Sequence, residues 1–272
     1  MAAPDSVSEG NGQGVWETDP VSVLAIVQAR MTSTRFPGKV LADLAGEPMI
    51  LRQLERIGRA ERLDQIVVAT SDDHSDDHLA AVLEQSGYAV VRGSLDDVLS
   101  RFILALDTFP SPVVVRLTAD CPLASPSVID LVVDSFLAQP ADYVSNTMTP
   151  TYPDGLDVEV TTAAALRKVG QLCVDPAERE HVTLGIYRRP ELFSIGNVAS
   201  SQDLSHLRWT VDTPEDLEFV RGVYGELYEH NPHFDLTEIM LYLDRHPERS
   251  RTATDAARNA ALQVLNTGVM NV

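Results

Sequence analysis

The sequence predicts an α/β protein, a single domain built on a mostly parallel, doubly wound sheet with a small irregular excursion. Three observations carry this expectation. From residue 22, short β-branched runs alternate with longer stretches of helical periodicity, in the order β-α-β-α-β-α-β-α up to about residue 138. That rhythm favours parallel strands with helices on both faces. The chain has 272 residues, room for one large α/β domain or two small ones, and it is 44% hydrophobic and 22% charged, the usage of a folded body rather than of a disordered acidic chain.

Ser22 to Val27 reads as a buried strand, and Ile50, Leu51, Leu54 and Ile57 recur at helical spacing on a helix begun by Pro48. Ile66 to Thr70 is the next strand. Leu79, Val82 and Leu83 mark a helix that Gly87 can end, Tyr88 to Val91 a third strand, Val98, Leu99, Phe102 and Leu106 another helix, and Val113 to Leu117 a fourth strand. The second half is less regular. Short strands are expected at Tyr143-Val144, Leu156 to Val160, Leu192 to Val198 and Leu207 to Val211, with helices near 163–170, 176–188, 214–230 and 235–246. Pro and Gly make 148–155 a turn within an excursion of about 140–190, not a domain linker. The domain is expected over 22–249, between a flexible leader at 1–21 and a tail at 250–272.

Twenty-one Lys and Arg against 40 Asp and Glu give a formal net charge of −19, which opposes attraction to nucleic acid or an anionic membrane. No run approaches the roughly 18 apolar residues of a membrane helix. The first twenty residues contain neither Lys nor Arg and no apolar run, so they resemble no secretory or transit signal. Cys121 and Cys173 fit neither a disulfide framework nor a zinc spacing, and a cytoplasmic location is the expectation.

Ligands of open parallel sheets bind beyond the carboxyl ends of the strands. The first such loop, Gln28-Ala29-Arg30 through Lys39, places Arg30, Arg35 and Lys39 in an interval, 21–42, that has no acid. A local +3 in a chain of charge −19 points to a polyphosphate cradle, with a solvated basic loop as the competing reading. Walker A chemistry is excluded, because Val40 follows Gly38-Lys39 and the earlier glycine is absent. The alternate glycines 10, 12 and 14 have no strand before them and make no dinucleotide fingerprint.

Eight blocks in one order carry a family resemblance: QARMTSTRFPGKVL (28–41), IVVATSDDHSDD (66–77), RGSLDDVLSRF (92–102), VVRLTADCPL (114–123), DYVSNT (142–147), TYPDGLDVEV (151–160), EREHVT (178–183) and LSHLRWTVDTPEDLEFV (204–220). Over about 22–248 the chain resembles the SpsF-like cytidylyltransferases, relatives of the acylneuraminate and Kdo cytidylyltransferases. The resemblance implies a nucleotide-diphospho-sugar transferase fold, GT-A-like and Rossmann-like, and attack of an acceptor oxygen on the α-phosphorus of CTP with loss of pyrophosphate. It implies that Gln28, Ala29, Arg30, Arg35 and Lys39 hold the nucleotide, with Arg30 and Lys39 catalytic, and that Thr70, Ser71 and Asp72 lie at the nucleoside. Asp120 and Asp212 match the family's metal-binding aspartates and would hold Mg²⁺. A turn residue at Asp120, and a helix-start signal at Asp212-Thr213-Pro214, are the competing readings.

Tyr152, Asp154, Gly155, Asp157 and Glu159 place alternating acids after a tight turn, suited to sugar-like hydroxyls of a small-molecule acceptor. Glu178, Arg179 and His181 add an acid, a guanidinium for an anionic acceptor and a ring for proton removal, or else form a helix end at a subunit contact. The run 72–78 looks like a metal cluster, but Ser75 or Asp76 as a helix cap, with Asp77 in the first turn and solvated histidines, explains it better. The resemblance implies a homodimer, with 140–190 contributing to its interface. The expected function is CTP-dependent transfer of CMP to an acidic sugar, or to a related phosphate or phosphonate acceptor. A GT-A-like glycosyltransferase is the alternative, weakened by the absence of a D-x-D motif at a strand end. A catalytically silent scaffold is weakened by the presence of Arg30, Lys39, Asp120 and Asp212.

Overall fold

The structure, a computed structural model, describes residues 21–252. The expected leader up to residue 20, and the tail beyond 252, lie outside the described residues. Four parallel strands form the first half of the sheet: β1 (Val23–Gln28), β4 (Gln65–Ser71), β5 (Ala89–Gly93) and β6 (Val113–Thr118). With β7 (Tyr143–Ser145), β8 (Glu159–Thr162) and β9 (Ile195–Asn197) they make a seven-stranded sheet ordered β5-β4-β1-β6-β8-β7-β9. Strand β8 runs antiparallel to both β6 and β7, while β7 and β9 are parallel.

Burial on both faces explains the continuous apolar runs. Along β1, Val23, Ala25 and Val27 enter one core while Leu24 and Ile26 enter the other. The first core receives α1 (Met49–Ile57), α2 (Asp77–Gln85), α4 (Pro126–Leu137), α8 (Pro214–Leu227) and α9 (Leu236–Arg245). The second receives α3 (Val98–Thr108), α5 (Ala163–Leu172) and α7 (Leu184–Tyr187), with α6 (Pro176–Glu180) beside α3.

Three details differ from the expected elements. A small hairpin, β2 (Asp43–Leu44) and β3 (Glu47–Pro48), precedes α1, turned by Ala45 and Gly46 at φ 51° and 80°. The helix expected over 176–188 is broken into α6 and α7 at Val182, a buried β-branched residue held at φ 50°. The segment 207–211 joins no ladder; it makes isolated bridges, Asp154 with Arg208 and Leu207 with Thr252.

Strand order sets the place of the site. Chain direction through the sheet reverses at β1, which has β4 on one side and β6 on the other, so the loops after β1 and β6 open a crevice between them. A third segment joins that crevice, because Val211 donates its backbone N–H to the carbonyl of Asp120 at 2.8 Å. No helix among the described residues is long and apolar enough to cross a membrane.

Candidate active site

The loop after β1 folds back on itself at Gly38, whose φ of 75° suits glycine and whose N–H reaches the Met31 carbonyl at 2.9 Å. A 3-10 turn follows at once and buries Lys39. The Lys39 ammonium then lies 3.4 Å from Asp120 Oδ2, 3.0 Å from Asp212 Oδ1 and 2.7 Å from the Val211 carbonyl. Residues separated by 81 and 173 positions thereby meet at one nitrogen.

Each carboxylate has a second anchor. Thr118 Oγ1 donates to Asp120 Oδ1 at 2.7 Å. Asp212 also faces Arg35 at 3.0 Å and Arg208 at 2.6 Å, and Arg208 continues to the buried Asp216 at 2.7 Å. Burial pushes the Asp120 carboxyl up, but the Lys39 charge and the Thr118 hydroxyl outweigh it and leave it below its ordinary value. For Lys39, burial opposes the charge, while Asp120 and Asp212 hold the ammonium above its ordinary value. Thr213 and Asp216 form the capping box of α8, and Asp212, one residue earlier, meets Lys39.

Two carboxylates converging on one ammonium are arranged to hold a cation. Among the described residues no cluster of three or more His, Cys, Asp or Glu forms a metal cage. A pair of carboxylates without softer ligands would suit a hard divalent ion rather than a soft one. The run 72–78 follows the same rule: Asp73 caps the 3-10 turn through Ser75 N, and Asp77 pairs with His74 and Arg92.

Asp120 and Asp212 open onto a cleft of about 280 Å³, also lined by Gln28, Arg35, Arg116, Thr118, Thr147, Asp154, Asp157, Glu159, His181, Thr183, Tyr187 and Arg208. Asp154 and Asp157 are carried there by two buried devices. Asn146 donates to the Leu156 carbonyl at 2.7 Å and accepts from Val158 N at 2.9 Å. Gly155, at φ 109°, brings its backbone so close to the Trp209–Thr210 peptide that an added Cβ would lie 2.8 Å from the Trp209 carbonyl carbon. His181 lines the same cleft beyond the strained Val182, and burial depresses its ring below the ordinary histidine value.

Other expected residues are placed differently. Arg179 turns away from the cleft: it pairs with Asp97, the cap of α3, and donates to the carbonyls of Gly170 and Cys173 at 3.0 and 3.3 Å. Tyr152 is core, 5% exposed, and does not line the cleft. Glu159 lines it with its carboxylate already engaged by Arg116, Tyr143 Oη and Thr183 Oγ1, so it is a frame rather than a hydroxyl acceptor. Arg30 does not line the cleft and stands 3.6 Å from Glu180, and Ala29 is buried with its N–H on the Ala69 carbonyl. Asp72 is exposed at the end of β4, its N–H on the Gly93 carbonyl.

Thr70 and Ser71 are wholly buried, and their hydroxyls serve Asp76. Asp76 makes no side-chain cap on α2; its carboxylate also accepts from Ser71 N at 3.0 Å and reaches back to Met31 N at 2.6 Å. It pins the first loop to the end of β4. Asp76→Asn exchanges an acceptor oxygen for a donor among four donors, and is expected to cost about 2–3 kcal/mol, read as a lower denaturation midpoint, and to weaken nucleotide binding through the loosened loop. Arg116 had a legible signal, a charge within the apolar strand Val113-Val114-Val115-Arg116-Leu117. Arg208, Asp76 and Asn146 had none beyond their blocks.

Comparison with known proteins fits this geometry. Residues 24–235 match the family described as cytidylyltransferase. The chain is 32% identical over 233 residues to the spore coat polysaccharide biosynthesis protein SpsF of Bacillus subtilis, covering 83% of this chain and 95% of that protein. It is 30% identical over 246 residues to a 3-deoxy-manno-octulosonate cytidylyltransferase of Solibacter usitatus, covering 75% and 95%. The solved structure of a cytidylyltransferase from Leptospira borgpetersenii superposes with a TM-score of 0.78 at 29% identity, over 85% of this chain and 96% of that one. The knot of Lys39 between two aspartates thus stands in a nucleotidyltransferase, and the chain belongs to the cytidylyltransferase family.

Proposed function

We propose that the enzyme transfers CMP from CTP to a hydroxylated anionic acceptor, a sugar acid or a related phosphate or phosphonate, with release of pyrophosphate. The observation that carries this reading is the convergence of Lys39 on Asp120 and Asp212, two aspartates that line the cleft. The relatives named above, one for polysaccharide biosynthesis and one as a 3-deoxy-manno-octulosonate cytidylyltransferase, support an acidic sugar as acceptor. A glycosyltransferase would share the fold, but the family match favours nucleotidyl transfer.

In this reading Lys39 and Arg35 neutralise the triphosphate, and Arg30 of the same loop adds a third positive charge. Their charge is aimed where the bond between the α- and β-phosphates breaks and the electron pair leaves with pyrophosphate. A divalent ion such as Mg²⁺, held by Asp120 and Asp212, would supply further neutralisation of phosphate oxygens. Positioning does the remainder: the Asn146 and Gly155 contacts fix Asp154 and Asp157 beside the same cleft, where an acceptor hydroxyl can be held in line with the α-phosphorus. His181, kept neutral by burial, takes the proton of that hydroxyl as the new P–O bond forms.

The test is a thermal shift with each of CTP, UTP, ATP and GTP in Mg²⁺, followed by pyrophosphate release with acidic sugars and phosphonates. A clear upward shift with CTP above the other nucleotides is expected; no shift with CTP removes the assignment.

His181 adds a pH dependence. An unfolded histidine binds its proton near pH 6.5, and the folded ring resists until lower pH, so its contribution to stability is whole above that value. It is lost as the pH falls through the lowered folded value. His181→Gln should therefore lose less melting temperature than the parent between pH 7 and 5; equal losses would remove His181 as the titrating group.

The excursion also supports a homodimer. Met148, Leu172 and Val174, all within 140–190, are exposed, Val174 at 90%, and Leu192 just beyond it is exposed as well. Val174→Asp is expected to move the mass in light scattering from dimer toward monomer. Both cysteines are buried and unbonded, which agrees with a cytoplasmic location.

A further inference from the structure

Arg116 lies on β6, four residues before Asp120, and its side chain lines the cleft. Two of its nitrogens are held: Nε donates to Gln28 Oε1 at 3.1 Å and Nη1 to Glu159. Nη2 bonds to no described residue, yet it is not among the buried polar atoms without partners, so solvent in the cleft reaches it. The side chain is 14% exposed.

The partners of Glu159 decide what this pair is for. Its Oε1 accepts from Tyr143 Oη and from Thr183 Oγ1, each at 2.6 Å, and its other oxygen meets Arg116. A carboxylate so engaged does not compete for a ligand. It holds the guanidinium in one orientation, with the third nitrogen turned to the cleft. Burying an ion pair contributes little net stability, whereas a guanidinium fixed on two sides loses little entropy when its open edge takes an oxyanion.

The other two arginines that line the cleft, Arg35 and Arg208, stand at Asp212, on the side assigned to the triphosphate, and Arg179, outside the cleft, faces Asp97. The cleft wall also carries His181 and Tyr187, a ring and a phenol that suit an oxyanion and its neighbouring alcohol, while the Thr183 hydroxyl proton is committed to Glu159.

We propose that Arg116 is the anion-binding residue of the acceptor site, taking the carboxylate, phosphate or phosphonate terminus of the acceptor on Nη2. This rests on the cytidylyl-transfer reading for the name acceptor, but not for the anion site itself. It also moves to Arg116 the role that the sequence pattern had suggested for Arg179.

The test follows the ring resonances of His181, assigned with His181→Gln, during titration at fixed pH with glycolate, methylphosphonate and the neutral ethylene glycol. Saturable shifts with one or both anions, and none with ethylene glycol, are expected, and the anion that binds tighter names the terminus. In the double variant Arg116→Gln/Glu159→Gln, which leaves no buried charge unpaired, anion affinity should fall at least tenfold while CTP still raises the melting temperature. Arg116→Lys, which keeps a charge beside Glu159 but not the planar fork, is the companion variant and should weaken both anions at least threefold.

Unchanged anion affinity in the folded double variant, or His181 signals that no anion moves, would overturn the proposal. If CTP leaves the melting temperature of the parent unchanged while anions still act through Arg116, the cytidylyl reading falls and the anion site stands.

Discussion

Replacing Lys39 with methionine is expected to lower pyrophosphate release from CTP by roughly 10³-fold and to make the protein's stability depend on divalent metal. Methionine keeps the length of the buried stem and removes the ammonium. The Asp120 carboxyl then loses the Lys39 charge that, with the Thr118 hydroxyl, offsets its burial, while Asp212 retains Arg35 and Arg208. The two sites therefore diverge: Asp120 becomes a poorly compensated carboxylate, and the variant should melt several degrees lower than the parent in EDTA. Mg²⁺ should narrow that gap, because it supplies charge where the ammonium stood, but it cannot restore turnover if Lys39 serves the departing phosphates. Melting curves in EDTA and Mg²⁺, alongside the pyrophosphate assay with an acceptor that supports turnover, separate the two effects. Turnover near the parental rate would place Lys39 outside the chemistry.

Gly155→Ala is expected to cost about 2–4 kcal/mol of stability, among the largest effects of any single methyl group in the molecule. Two causes add. Its φ of 109° lies where side chains rarely go, and the new Cβ would stand 2.8 Å from the Trp209 carbonyl carbon and 3.0 Å from Thr210 N. The clash is with backbone, so it has to part 153–156 from 207–211. Those segments are joined by Asp154 N to the Leu207 carbonyl at 2.9 Å and by Trp209 N to the Asp154 carbonyl at 2.6 Å. Parting them shifts Asp154 and Asp157 relative to Asp212, so CTP turnover should fall along with stability. Gly46→Ala is the control: its φ is 80° but nothing lies within 4 Å of the added Cβ, and about 1 kcal/mol is expected from conformation. Equal denaturation midpoints for the two variants would contradict the close approach.

The first half of the fold was legible because its cues are local. Residues 22–118 alternate buried apolar strands with amphipathic helices, and four parallel strands appear where the runs lie. The reversal at β8 had no local cue: the direction of Glu159–Thr162 is set by pairing with β6 and β7, which sequence periodicity does not encode. Val182 broke a helix that its neighbours' propensities supported, because its side chain is drawn into the α3–α5 core.

The site divides in the same way. Arg35, Lys39 and Asp120 stand on short motifs after β1 and β6, Asp212 follows the bridged segment 207–211, and the structure brings them together. Thr70 and Ser71 were readable as polar residues at a strand end, but not as partners of Asp76, whose carboxylate reaches 45 positions back to Met31. Arg179 and Tyr152 share blocks with cleft residues yet face elsewhere, since a one-residue change of direction on a short helix or turn decides which side chain meets the cleft. Arg116 and Glu159 meet because β6 and β8 pair in register at those two positions.

The most direct test of the central claim, that Lys39, Asp120 and Asp212 form a site for a metal-bound triphosphate, is the affinity for CTP with and without Mg²⁺ in the parent and in Asp120→Asn. The parent should bind CTP at least tenfold more tightly in Mg²⁺ than in EDTA, and Asp120→Asn should lose that gain while keeping its fold. Equal affinity in Mg²⁺ and EDTA, or a full Mg²⁺ gain in Asp120→Asn, would contradict it.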